Sequence, residues 1–131
     1  MSYTLNEDYL DNFQGKYRDF VKENALPKIE NNKVEIKYLA MVEKVKEITP
    51  NQVARLNNYY IWDKEYVKSY LENKKGYAWI LRIYELPEPQ MREAKRFAIT
   101  FAKLDKDISI DNANPVLNDN SFSKIKNNLK I

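Results

Sequence analysis

The run YAWILRIYEL, residues 77–86, constrains the fold of this chain more than any other stretch. It alternates with period two, placing Tyr77, Trp79, Leu81 and Ile83 on one face of a strand and Ala78, Ile80, Arg82 and Tyr84 on the other. Both faces are largely apolar, so it reads as a central strand. The run KVEIKYLAMVEKVKEI (33–48) alternates Val34, Ile36, Tyr38, Ala40 and Val42 against a more polar face and reads as a long half-buried strand, bent near Glu43. After the two prolines of PEPQ (87–90) interrupt the ladder, KRFAITFAKL (95–104) resumes as a strand with Phe97, Ile99 and Phe101 on one face. ISI at 108–110 reads as a short edge strand.

Helix signals separate these runs. The segment 4–26 opens with the capping box Thr4-x-x-Glu7 and places Leu10, Phe13, Tyr17 and Phe20 or Val21 on one stripe, so it predicts an amphipathic helix ended by Pro27. Gly15 inside it marks a break or a close approach. Thr49, Pro50 and Gln52 together predict a short capped helix through Leu56. Asp63 caps a further helix of about three turns with Tyr66, Val67, Tyr70 and Leu71 on its apolar stripe and Gly76 as its stop. SFSKIKNN (121–128) predicts a last helix through Phe122, Ile125 and Leu129. The class is α+β, in one domain over 1–131.

The 131 residues contain no histidine and no cysteine, which removes the commonest general base, the thiolate nucleophile and the usual zinc ligands. With only Gly15 and Gly76, neither a phosphate loop nor a dinucleotide fingerprint can be written. Nothing singles out a catalytic constellation or a cofactor site, and the chain reads as a binding module more than an enzyme. No apolar run approaches the roughly 20 residues of a membrane span, and the first residues lack a secretory pattern, so a cytoplasmic location is expected.

Two metal readings are weak. DKDISIDNANPV (105–116) resembles a calcium loop at its first, third, fifth and seventh places, but has Ile110 for the glycine and Val116 for the bidentate glutamate. Glu35-x-Lys37 has the spacing some metal-dependent nucleases use, without a second carboxylate in view. An alternating charged pair on a solvent face accounts for it.

Aromatic residues carry the stronger signal. NNYYIWDKEY (57–66) holds four rings in ten residues. Tyr38, Tyr66, Tyr70 and Tyr77 fit helical or strand periods and are assigned to the core. Tyr59, Tyr60 and Trp62 sit in the connection between two capped helices, where base stacking and packing are equally good readings. The formal net charge of +3 is mild, but Arg92, Lys95, Arg96, Lys103, Lys106, Lys124, Lys126 and Lys130 crowd the last third.

The order of a strand ending in EIT, a capped short helix, an aromatic connection, a second helix and KKGYAWILRIYELPEP is similar to the centre of PUA-like domains, closest to the ASCH subgroup with EVE and YTH domains as relatives. The resemblance covers about residues 34–90. QGKYRDF offers Gly15, Lys16 and Arg18 in compressed spacing for the ASCH Gly-x-Lys-x-x-Glu-x-Arg signature and lacks its glutamate. The resemblance implies a small mixed, partly open β-barrel with flanking helices, whose cleft takes RNA or an extruded base. It further implies stacking by Tyr59, Tyr60 and Trp62, with phosphates held by Lys16, Arg18, Arg92, Lys95 and Arg96. A related implication is a DNA-recognition module of a larger modification-dependent restriction system, whose other domains or subunits would be partners. The alternative class is a protein-interaction module with exposed aromatic hot spots.

Overall fold

The computed structural model describes residues 7–24, 29–96 and 102–131. Its α-helices are α1 (Arg18–Asn24), α2 (Pro50–Arg55), α3 (Lys64–Tyr70) and α4 (Asp119–Leu129). Its strands are β1 (Ile29–Glu30), β2 (Lys33–Ile48), β3 (Gly76–Arg92), β4 (Ala94–Arg96), β5 (Ala102–Leu104) and β6 (Asn114–Pro115). The class is α+β, as expected. Among the described residues the strands form one sheet in the order β1-β2-β3-β6 and a separate β4-β5 pair. That order is open at β1 and β6, and the described strands close no barrel. No described helix is long and apolar enough to cross a membrane.

The described residues gather in two compact units, one drawing on 7–24, 44–80 and 129–131, the other on 29–43, 81–96 and 102–128. The first unit holds most of the buried apolar side chains: Phe13, Val21, Ile48, Val53, Leu56, Ile80 and Leu129. The second holds Leu86.

Local signals explain several elements. Thr49 and Gln52 close a reciprocal capping box with Pro50 in the first turn, which starts α2 and aims Val53 inward. The Asp63 carboxylate accepts from the amides of Glu65 and Tyr66 and starts α3. In α4, Asn118 Oδ1 accepts from Ser121 N at 2.8 Å. Asn31 and Asn32, both at positive φ, make the two-residue turn that pairs β1 with β2.

Other expectations are corrected. The segment expected as one helix from residue 4 is two 3-10 turns (Glu7–Asn12 and Gly15–Tyr17) followed by α1. The break falls at Phe13, which bridges to Trp62: Asn12 O accepts from Asp63 N at 2.8 Å, and Gln14 N donates to Ile61 O at 2.9 Å. Those backbone groups cannot also serve a helix. A Cβ added at Gly15 would meet nothing within 4 Å, so this glycine marks no close approach. The capping residue Thr4 and the terminator Pro27 lie outside the described residues.

Helix α3 has two turns instead of three, and Gly76 does not stop it. Glu72 and Asn73 adopt positive φ, and the bonds Glu72 N to Ser69 O and Asn73 N to Lys68 O close the helix. Gly76 instead opens β3, where a Cβ would lie 2.8 Å from Leu71 Cδ1. Strand β3 runs through Pro87 and Pro89. Ile83 O accepts from Val116 N of the loop after β6, so odd-numbered residues of β3 turn their backbone polar groups toward β6. The β6 pairing ends at Glu85. The two prolines therefore lack donors only where no described strand waits for one.

The expected strand 95–104 is instead two strands, β4 and β5, paired antiparallel with Lys95 opposite Lys103. Phe97, Ala98, Ile99, Thr100 and Phe101 lie outside the described residues. Residues 108–110 form no strand, because the Gln90 carboxamide takes both backbone bonds of Ser109, at 2.7 and 3.0 Å. Strand β2 is exposed along most of its length rather than half-buried. Tyr38, Tyr70 and Tyr77, assigned to the core by period, are 54%, 76% and 69% exposed.

Candidate functional site

The aromatic connection is a packed cluster. Trp62 stacks on Phe13 with ring centroids 4.2 Å apart and on Tyr66 at 5.4 Å. Tyr9 meets Phe13 and Trp62 edge-on. Burial, and then the proximity of Tyr66, raises the Tyr9 hydroxyl pKa above its ordinary value. Gln14 fastens the connection from below: its Nε2 lies 2.7 Å from Tyr60 O, 2.9 Å from Asn57 O, 3.1 Å from Trp62 O and 3.2 Å from Asn57 Oδ1. Two N–H groups are thus shared among four acceptors, and the backbone of 57–62 is bent around one side chain. Tyr60 donates its hydroxyl to Val53 O at 2.7 Å. Burial, and then Asp63 and Glu65, raises its pKa. Of the three rings expected to stack on a base, Tyr59 is 49% exposed, Tyr60 is half-buried and Trp62 is half-buried with two rings against it.

The five expected phosphate-binding cations divide between the units. In the first, the exposed Lys16 ammonium lies 5.1 Å from the centre of the Tyr17 ring and Arg18 Nε donates to Phe13 O at 3.3 Å. In the second, Arg92 donates to Asp107 O through Nε and Nη2, to Met91 O and to Gln90 Oε1, so four of its five N–H groups serve its own chain. Lys95 is exposed on β4. Arg96 stands opposite Ala102 in the β4-β5 register, and its side chain lies outside the described residues. Glu35 and Lys37 pair at 3.0 Å, and the bond to Glu35 raises the lysine pKa. Asp105 Oδ1 accepts from Glu93 N at 3.0 Å. Among the described residues no group of three or more metal-ligating side chains occurs.

A different surface of the first unit is open. Gly76, Ala78 and Ile80 turn to the buried or half-buried face of β3, whereas Tyr77 and Trp79, 69% and 59% exposed, stand on the other. Neither ring contacts another described ring, and the Tyr77 hydroxyl and Trp79 indole N–H bond to no described residue. Leu71 packed on Gly76 brings the turn carrying Lys74 and Lys75 to the start of the strand. The Lys75–Glu47 pair, 3.3 Å, sets it beside the end of β2, with Lys46 and Lys44 next along that strand.

Residues 44–48 and 74–80 carry four lysines against Glu47, an excess of three positive charges, or two when Glu72 is counted. By the two-residue alternation of β2, Lys44 and Lys46 share the face of the buried Ile48, whereas Glu47 and its partner Lys75 lie on the other. Lys74 bonds to Glu72 with both side chains 75% exposed, an ion pair that water screens and a ligand displaces at little cost. Lys44 donates to the backbone oxygen of Ile131 at 2.9 Å. The surface thus sets two exposed aromatic rings, with no partner among the described residues, beside the exposed ion-paired lysines Lys74 and Lys75. Sequence reasoning passed over it, although KKGYAW sets the lysines beside the rings, because Tyr77 fits a strand period and was assigned to the core.

Comparison with curated proteins finds no match, and comparison with solved structures finds none either. A family profile described as "Domain of unknown function (DUF1802)" matches residues 3–128, nearly the whole chain. The compact aromatic unit and its open strand face therefore stand in a chain that belongs to the DUF1802 family of domains of unknown function.

Proposed function

We propose that the protein is a nucleic-acid-binding module that takes single-stranded RNA or DNA on the open face of β3. Tyr77 and Trp79 stack on bases, and Lys74 and Lys75, which directly precede them, meet phosphates. The observation that carries this reading is the pair of exposed rings, Tyr77 and Trp79, directly after Lys74 and Lys75, whose ion pairs are solvent-exposed. Base–ring stacking contributes about 1–3 kcal/mol per base. The resemblance to ASCH-like domains would instead put base stacking at Tyr59, Tyr60 and Trp62. The engagement of Trp62 and Arg92 within their own units favours the strand face.

A second reading, a protein-interaction surface, draws on Leu81 and Ile83 of the second unit, exposed aliphatic side chains that offer a base no ring to stack on. Salt separates the two. Titration of labelled single-stranded RNA, single-stranded DNA and duplex DNA at several salt concentrations should give a slope of log K against log salt of roughly −1.4 for about two phosphates contacted on a single strand. Lys74→Glu with Lys75→Glu should flatten that slope. Absence of binding to all three at low salt would overturn the reading and leave the protein-interaction surface.

A further inference from the structure

We infer that Tyr77 and Trp79 form a slot for one unstacked nucleobase, clamped between the two rings; this deepens the nucleic-acid reading and rests on it. Same-face neighbours on a strand are two residues apart, about 6.8 Å at roughly 3.4 Å per residue. A flat base between two rings needs two contact distances of about 3.5 Å each. The strand repeat therefore matches the thickness of one base and its two contacts.

Along β3 itself the neighbouring residues put no side chain between the two rings. Ala78 turns to the opposite face and Gly76 carries no side chain. Within the same unit the chain uses this arrangement once already, holding the Trp62 indole between Phe13 and Tyr66. At Tyr77 and Trp79 both rings are exposed and make no ring contact with a described residue. Lys74 and Lys75 precede the first ring directly, where the phosphate of the clamped nucleotide would run. Such a slot requires a base free of its duplex stack, so single strands or extruded bases enter and intact duplex does not. A purine, with more ring area on both faces, is preferred over a pyrimidine.

The test is a double-variant cycle with labelled oligodeoxyadenylate, oligodeoxythymidylate and their duplex at low salt. Each of Tyr77→Ala and Trp79→Ala should weaken oligodeoxyadenylate binding about tenfold. Two rings that share one base lose their common ligand together, so the double variant should lie within about threefold of the weaker single variant. Adenylate should bind more tightly than thymidylate, and duplex least. Thermal melting of all three variants should stay close to wild type, because both side chains are exposed.

Losses that multiply to about a hundredfold in the double variant would mean that each ring serves its own base, which overturns the clamp and leaves the binding face standing. Duplex bound as tightly as single strand, or binding indifferent to both rings, would overturn it as well. Wild-type protein that binds no oligonucleotide would remove the nucleic-acid reading itself, a distinct result.

Discussion

Trp62 and Trp79 belong to the same compact unit, yet one is stacked between Phe13 and Tyr66 and the other is 59% exposed and meets no described ring. Sequence reasoning left Trp62 open between packing and stacking, with the resemblance favouring a ligand, and read the strand of Trp79 as central, with two apolar faces. The difference lies in what holds each backbone. Residues 57–62 lie between two helices without a ladder of their own, so the segment is held by a two-bond bridge to 12–14, by the Gln14 carboxamide and by rings that pack on one another. Trp79 lies on a strand paired with β2, where burying the Gly76, Ala78 and Ile80 face suffices and the other is free for a partner. Irregular backbone draws its anchors inward, and a paired strand can spare one face.

The largest expected effect breaks this comparison most directly. Trp62→Ala should destabilise the protein by about 3 kcal/mol in urea unfolding, because it removes a ring packed on three others. A loss under about 0.5 kcal/mol would make the two tryptophans equivalent. Gln14→Ala comes next at about 2 kcal/mol, since several partly buried acceptors lose their donor. Gln14→Glu would place a carboxylate among four oxygens and raise its folded-state pKa. That variant should be most stable below about pH 4, where the group is protonated in both states, and lose stability as pH rises.

Tyr60→Phe should cost about 1 kcal/mol through loss of the bond to Val53 O. The sign of its pH dependence follows from the raised Tyr60 pKa: the neutral hydroxyl is favoured in the folded state, so the stabilisation is whole below about pH 10 and fades above it. An alkaline titration of stability should therefore fall more steeply for wild type than for Tyr60→Phe. The smallest effect is Trp79→Ala, within about 0.5 kcal/mol of wild type in the same urea assay. Acrylamide should quench the fluorescence of Trp62→Phe, which retains Trp79, far more than that of Trp79→Phe.

Elements specified by neighbours in sequence were legible. The Thr49–Gln52 capping box, the Asp63 cap, the apolar spacing of α4 and the alternation of β3 all appear as read. Elements whose backbone partners are distant were not. Phe13 and Gln14 fit a helical stripe, and no local signal shows that their backbone bridges to 61–63 instead. Pro87 and Pro89 read as breakers because the side to which their missing donors point depends on where β6 lies.

The sequence by itself determined where α2 and α3 start, where β3 alternates, that thiol and imidazole side chains are absent, and that lysines adjoin Tyr77 and Trp79. Only the tertiary structure decided which aromatic face was spent on packing and which stayed open. Alternation says that a strand has two faces and not which one is covered, because burial is set by what packs there, and that comes from residues distant along the chain.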